Sequence, residues 1–301
     1  MKAITKKKPF NVVATVTIVL LVLYAISMFI PIFWTVMTTL KTRFEYESLG
    51  NALWLPKEGI TFENFTLAYE YFKIDVTKGP IGRTETIEFY IFDQFVNSIL
   101  YSCGCAFGIT LSSLVMGYAT ARFSYRFSNV IYSFVLVTLA LPIVGSLPSE
   151  IAVSRGLRIF DTFPGIWIMR ANFLNTYFLI FYAQFKMIPR DYTEAAKIDG
   201  ASPLTIMTKI IVPLAMGTVT TVFVLNFIGY WNDFQIPMVY LPSHPVAAYG
   251  MYRFQEDRIE KIDYTSARLA GICIMALPII VFYGIFNRKL NVNMSVGGIK
   301  G

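Results

Sequence analysis

Few side chains in this sequence could do covalent chemistry. The single histidine is His244, and the three cysteines, Cys103, Cys105 and Cys273, all lie in apolar runs without metal-ligand spacing to it. No zinc site and no Cys–His nucleophile can be built from that set, so the cysteines read as small buried hydrophobes. No G-x-x-x-x-G-K-[S/T] run is present, so the chain has no phosphate-cradling loop of its own. What remains is binding chemistry at two places. One is the polar stretch Glu194-Ala195-Ala196-Lys197-Ile198-Asp199-Gly200-Ala201-Ser202-Pro203, followed by Ile210-Ile211-Val212-Pro213. The other is Tyr230-Trp231-Asn232-Asp233, which joins aromatic faces to hydrogen-bonding groups. Those are the two contacts a pyranose offers, an apolar ring face and a hydroxyl rim. Consecutive helical residues cannot share one face, so about two of these four can line a path. Asp233 in an apolar run is costly unless it meets water or a partner; the competing placement for the group is an interfacial aromatic belt. Asn172 and Arg170 form a further polar pair, with Arg170 either a ligand for an anionic group or a structural partner of Glu150 or Asp161.

The elements that must position these residues are membrane helices. Hydrophobic residues make up 55% of the chain, charged residues only 15%, and mean hydropathy is +0.55. Soluble domains carry about 25% charged residues. Long unbroken apolar runs, rather than alternating strands of about ten residues, select helices over a barrel. The expected fold is all-α and integral to the membrane, with six transmembrane spans: Asn11–Leu40, Phe95–Ala121, Asn129–Ala152, Phe163–Met187, Ala215–Leu241 and Ala267–Phe286. Small residues Gly104, Gly108, Ser112, Ser113 and Gly117 in the second span suit close helix packing. Pro142, Pro148 and Pro278 either kink helices around a path or merely bend them. The first span follows Lys2, Lys6, Lys7 and Lys8 but is too long for a signal peptide and lacks a small-x-small cleavage site after it, so it reads as a signal anchor.

Charge then orients the chain. With the N-terminus inside, the inner segments hold Arg122, Arg126, Lys186, Arg190, Lys197, Lys209, Arg288, Lys289 and Lys300 against only Asp191, Glu194 and Asp199. Nine acids crowd the outer segment from Glu45 to Asp93, and Glu256, Asp257, Glu260 and Asp263 sit in another. Both termini are therefore expected in the cytoplasm. The net charge of +7 is a topology signal and gives no argument for nucleic-acid binding. The expected organisation is 1–40, an N-terminal tail and first helix; 41–94, an extracytoplasmic loop; 95–287, a five-helix core carrying the cytoplasmic loop 188–213; and 288–301, a cytoplasmic tail.

In the central loop, Glu194, Ala195, Ala196 and Ile198 fall on a short helix. Gly200 is a natural stop, because glycine takes a left-handed conformation cheaply. Ser202-Pro203 caps and starts the next helix. Alanines and glycine leave little bulk, so another surface can approach. The alternative is an interfacial helix that only anchors the fifth span. The pattern resembles the EAA loop of the membrane subunits of ATP-binding-cassette importers: EAA, three residues, Gly, nine residues, then Ile-x-Leu-Pro. Glu194, Ala195, Ala196, Gly200, Ile210 and Pro213 fall in register, with Val212 where Leu is usual.

The resemblance runs along the chain. Phe185 and Ile188-Pro189 approach the motif as in that family. Asn226 to Phe234 looks like the Trp-Asn segment of carbohydrate-importer permeases, and Leu55-Pro56 with Thr61-Phe62-Glu63-Asn64-Phe65 is similar to their stretch after the first span. The tail Gly297-Gly298-Ile299-Lys300-Gly301 resembles the ending of maltose-permease G-type subunits. Such a resemblance implies the MetI-like permease fold and the permease subunit of a binding-protein-dependent sugar importer in a bacterial cytoplasmic membrane. It implies a second, non-identical permease, two ATP-binding subunits that hold ATP and Mg, and an extracellular solute-binding protein. It makes Glu194, Ala195, Ala196, Asp199, Gly200 and Pro213 the ATPase-coupling residues, and brings the tail residues Gly297, Gly298, Lys300 and Gly301 to the ATPases. A permease for a non-sugar solute would share most of this. A secondary transporter would show inverted repeats and intramembrane charges for ion coupling; the sequence shows no internal repeat and few such charges.

Overall fold

The computed structural model describes residues 12–47, 51–78, 85–123, 125–141, 145–256, 262 and 264–294, with the backbone alone for 126 and 285–294. It is built of helices with one small hairpin. In order these are α1 (Val12–Thr39), α2 (Arg43–Glu47), α3 (Glu63–Tyr71), β1 (Ile74–Lys78), β2 (Glu85–Phe89), α4 (Ile91–Arg122), α5 (Arg126–Ala140), α6 (Leu147–Gly156), α7 (Phe163–Arg170), α8 (Thr176–Met187), α9 (Asp191–Ile198), α10 (Pro203–Ile206), a π-turn at Met207–Ile211, α11 (Val212–Leu214), α12 (Met216–Trp231), α13 (Gln235–Tyr240), α14 (Ala247–Glu256) and α15 (Thr265–Met294).

Among the described residues, α1, α4 and the segment Thr265–Gly284 of α15 are each long and apolar enough to cross a membrane unaided. These match the first, second and sixth expected spans. The other three apolar runs are broken. The third divides into α5 and α6, the fourth into α7 and α8 around residues 171–175, and the fifth into α12 and α13 at residues 232–234. Their ends are capped locally. Thr162 Oγ1 accepts from the Gly165 amide at the start of α7, with Pro164 in its first turn. Asn175 Oδ1 accepts from the Phe178 amide at the start of α8, and its Nδ2 donates to Asn172 O at 2.8 Å and Ser113 Oγ at 3.0 Å. In an apolar slab such internal partners are required wherever a helix breaks.

The chain divides into two compact units: Met1–Tyr71 with Arg258–Ile274, and Phe72–Asp257 with Met275–Gly301. In the first, Asn64 is the pivot. It is buried, donates through Nδ2 to the carbonyls of Thr39 (2.8 Å) and Lys41 (2.7 Å), and accepts from Tyr264 Oη at 2.9 Å. The carbonyls at the end of α1 are thus capped by a side chain. Lys41 is fully buried and gives its ammonium to Asn51 O at 2.7 Å. Burial pushes that ammonium below its ordinary pKa, against the opposing field of Glu45.

In the second unit α4 is the central element, with α7, α8, α12 and α14 packed around it. Its glycines mark the closest approaches. A Cβ on Gly104 would lie 2.0 Å from Trp167 Nε1, and one on Gly117 would lie 2.8 Å from Phe181 Cβ and 3.1 Å from the Tyr182 backbone nitrogen. The expected packing role of these small residues is what the structure displays. The hairpin β1–β2, antiparallel with Ile74 opposite Phe89, lies within the long polar segment and had no counterpart in an all-helical expectation.

Gly117→Ala is expected to destabilise the fold by about 1–3 kcal/mol, because the α8 backbone must yield to the added methyl. Gly156→Ala, where an added Cβ meets nothing within 4 Å, is expected to be neutral. The midpoints of thermal unfolding in detergent compare the two.

Candidate functional site

The polar stretch forms a short helix, a stop, and a second helix that runs into α12. α9 ends in a paired cap: the Gly200 amide donates to Lys197 O (3.0 Å) and the Ala201 amide to Ala196 O (2.9 Å). This is the Schellman arrangement. Gly200 takes φ +75°, where an L side chain is strained. Ser202 then caps α10, its Oγ accepting from the Thr205 amide at 3.2 Å, with Pro203 in the first turn. Met207–Ile211 widens into a π-turn, closed by the Val212 amide on Met207 O. The widened turn precedes Pro213, which has no amide to give and whose ring would press on the carbonyl four residues back. From Pro203–Leu214 to α12 the axis turns by 77°.

One side of this assembly is anchored. Ala196, Ile206, Ile211 and Ala215 are buried in a cluster with Tyr118, Ala121, Phe181, Phe185 and Ile188. Only an alanine-sized side chain suits position 196, which explains one alanine of the pair. The other side is open: Glu194, Ala195 and Asp199 are exposed. Ile198 is 86% and Leu204 67% exposed.

The second group does not act together. Trp231 is 2% exposed and packs into the core, stacked on Phe95 at 6.0 Å and tilted on Phe227 at 5.8 Å. Asn232 is exposed and gives Nδ2 to Ile228 O at 2.8 Å. Asn172 is exposed in the 171–175 break, its carbonyl taken by Asn175. Tyr230 and Asp233 alone share a cleft, with Tyr177, Leu225, Asn226 and Gly229. Asp233 is fully engaged: Oδ2 accepts from Tyr101 Oη (2.9 Å), and Oδ1 accepts from the amides of Gln235 (3.1 Å) and Ile236 (3.2 Å), capping α13. Sequence reasoning passed over Tyr101 and Tyr177, which lie far away in the chain. Arg170 takes its structural option: Nη2 bonds Glu150 Oε2 at 2.8 Å and the guanidinium lies 5.7 Å over Tyr240. Asp161 instead accepts from the Ser243 amide at 3.0 Å and faces His244 Nδ1 at 3.4 Å. Arg158 (φ 57°) and Asp161 (φ 59°) are both left-handed, so this loop holds strain of about 1–3 kcal/mol per residue. The tail residues Gly297, Gly298, Lys300 and Gly301, and Pro142, lie outside the described residues.

Comparison with known proteins gives a consistent picture. The family pattern described as "Binding-protein-dependent transport system inner membrane component" matches residues 109–295. The "Diacetylchitobiose uptake system permease protein NgcG" of Streptomyces coelicolor is 25% identical over 94% of this chain and 88% of its own. The "Trehalose transport system permease protein SugB" of Mycobacterium tuberculosis is 30% identical over 69% of this chain and 78% of its own. Among solved structures, a chain of a bacterial ABC transporter "involved in the import of the acidic polysaccharide alginate" superposes with a TM-score of 0.71, at 21% identity, over 94% of this chain and 98% of that one. This last likeness speaks to the fold.

Two substitutions separate the anchored from the open side of α9. Ala196→Leu is expected to cost about 1–3 kcal/mol by overpacking the cluster. Ala195→Leu is expected to change stability by less than about 0.5 kcal/mol. Unfolding of both purified variants in detergent checks the assignment.

Proposed function

This chain belongs to the binding-protein-dependent transport system inner membrane component family, multi-pass permease subunits of transporter complexes rather than enzymes, and from that premise we propose that it carries a sugar or oligosaccharide inward across the membrane while a partner subunit hydrolyses ATP. The sugar assignment is supported by the relatives, whose names specify diacetylchitobiose and trehalose. One observation carries the coupling assignment: the exposed Glu194–Ala195 surface sits on a helix whose opposite side is buried and whose exit is joined through the π-turn to α12.

In this reading two ATP-binding subunits, with ATP and Mg, lie below the permeases, and one of them receives α9 and the Gly200 turn. A second, similar permease completes the path, and an extracellular binding protein delivers the sugar. ATP can bias inward- against outward-facing states only through contacts that differ between them. The α9 surface supplies such a contact, with Glu194 giving orientation through a hydrogen bond or ion pair, Asp199 and Gly200 at the stop, and Pro213 holding the turn into α12. Gly297, Gly298, Lys300 and Gly301 would reach toward the same partner. Both termini are cytoplasmic, six spans cross the membrane with the broken runs included, and the divisions at residues 1–40, 41–94, 95–287 and 288–301 follow that topology.

Glu194→Lys and Gly200→Asp are expected to uncouple ATP hydrolysis from uptake in proteoliposomes holding the whole complex, lowering uptake per ATP at least tenfold. Normal uptake with normal ATPase stimulation in both variants would remove the coupling role. Co-purification from cells expressing the neighbouring genes should recover a second permease and a Walker-motif ATPase; an ATPase-free protein that still transports would contradict the proposal.

A further inference from the structure

The cleft that holds Tyr230 has a definite chemistry. It measures ≈ 250 Å³ and lies between α8, which supplies Tyr177, and α12, which supplies Leu225, Asn226, Gly229 and Tyr230, with Asp233 at its end. Asn226 is 6% exposed and gives Nδ2 to Val222 O at 2.8 Å, which leaves its Oδ1 to accept from a ligand. Gly229 has open space where a side chain would be, so the ligand space continues over its backbone. Two phenols supply ring faces and hydroxyl donors. Asp233 accepts from three donors. Among the described residues no lysine or arginine lines the cleft; Arg170, near enough to act on Tyr230, is bonded to Glu150.

Aromatic faces, an amide acceptor and a carboxylate suit hydroxyls and disfavour anions. The volume is below the roughly 300–1,000 Å³ of sites for drug-sized ligands, so it takes one ring at a time. Resting on the sugar-permease reading, we infer that this cleft is a transit subsite for a single neutral pyranose ring, and that Asp233 makes the chain discriminate against sugars bearing carboxylate or sulfonate groups.

The test uses the whole complex in proteoliposomes. Uptake of labelled trehalose and N,N′-diacetylchitobiose is measured beside alginate disaccharide and sulfoquinovosyl glycerol, each rate divided by the binding protein's occupancy for that probe. Gly229→Leu, which fills the cleft, is expected to cut uptake of the neutral probe at least tenfold. Gly284→Leu, the same change at another open glycine, is expected to leave it within twofold. Asp233→Asn is expected to raise the acidic-to-neutral ratio at least threefold. Wild-type passage of acidic probes as fast as neutral ones would overturn the discrimination. Wild-type-like uptake by Gly229→Leu would overturn the subsite and leave the sugar reading standing. An assembled, ATP-hydrolysing complex that moves none of the sugars would instead overturn that reading.

Discussion

A backbone amide or carbonyl that leaves a helix inside an apolar slab must find its partner within the protein, and the polar side chains of this fold are placed by that requirement. Thr162 stands where an apolar run begins, Asn175 and Asp233 where one breaks, and each accepts from backbone amides of the helix that follows. They are the conditions under which a bent path can exist at all. A straight helix offers no exposed peptide groups and little room. A broken one opens a cleft, as between α8 and α12, provided its ends are sealed. Asp233 meets both needs with one carboxylate: one oxygen seals α13, and the other binds Tyr101 across to α4.

The same logic, applied outside the apolar region, shapes the turn between α9 and α12. Gly200 and the π-turn before Pro213 are two local irregularities in that turn. Between them and α12 the chain is joined by packing as well as by its backbone: Ala196, Ile206, Ile211 and Ala215 belong to one buried cluster.

What could be read from the sequence follows from the range of the interactions involved. The Gly200 stop, the Ser202 cap and the surface alanine were legible because their backbone reasons lie within four or five residues. The glycines of α4 were legible because small residues at helical spacing have few other uses. The division of the third run into α5 and α6 had its local signal in Pro142 and Pro148. The break at 171–175 was not read, since it interrupts an otherwise apolar run; Asn175, a short cap residue, was its local signal. The hairpin had a period of two in Ile74-Asp75-Val76-Thr77-Lys78, overlooked inside a polar loop. Trp231 and Tyr230 could not be sorted between core and cleft, because Phe95 and Tyr177, which decide the matter, lie more than fifty residues away.

The Asn64–Tyr264 bond joins residues 200 apart. A ribosome adding roughly 5–20 residues per second needs on the order of 10–40 s to travel between them. Throughout that interval the residues of α1 and Asn64 exist, while the acceptor Oδ1 has no Tyr264 to bind. The first unit, begun first, therefore cannot close until its second segment, Arg258–Ile274, is made, after Phe72–Asp257 and before Met275–Gly301 of the second unit. The connectivity nests one unit's synthesis inside the other's, and the bond between Asn64 and Tyr264 is open to form only when the last long helix begins to emerge.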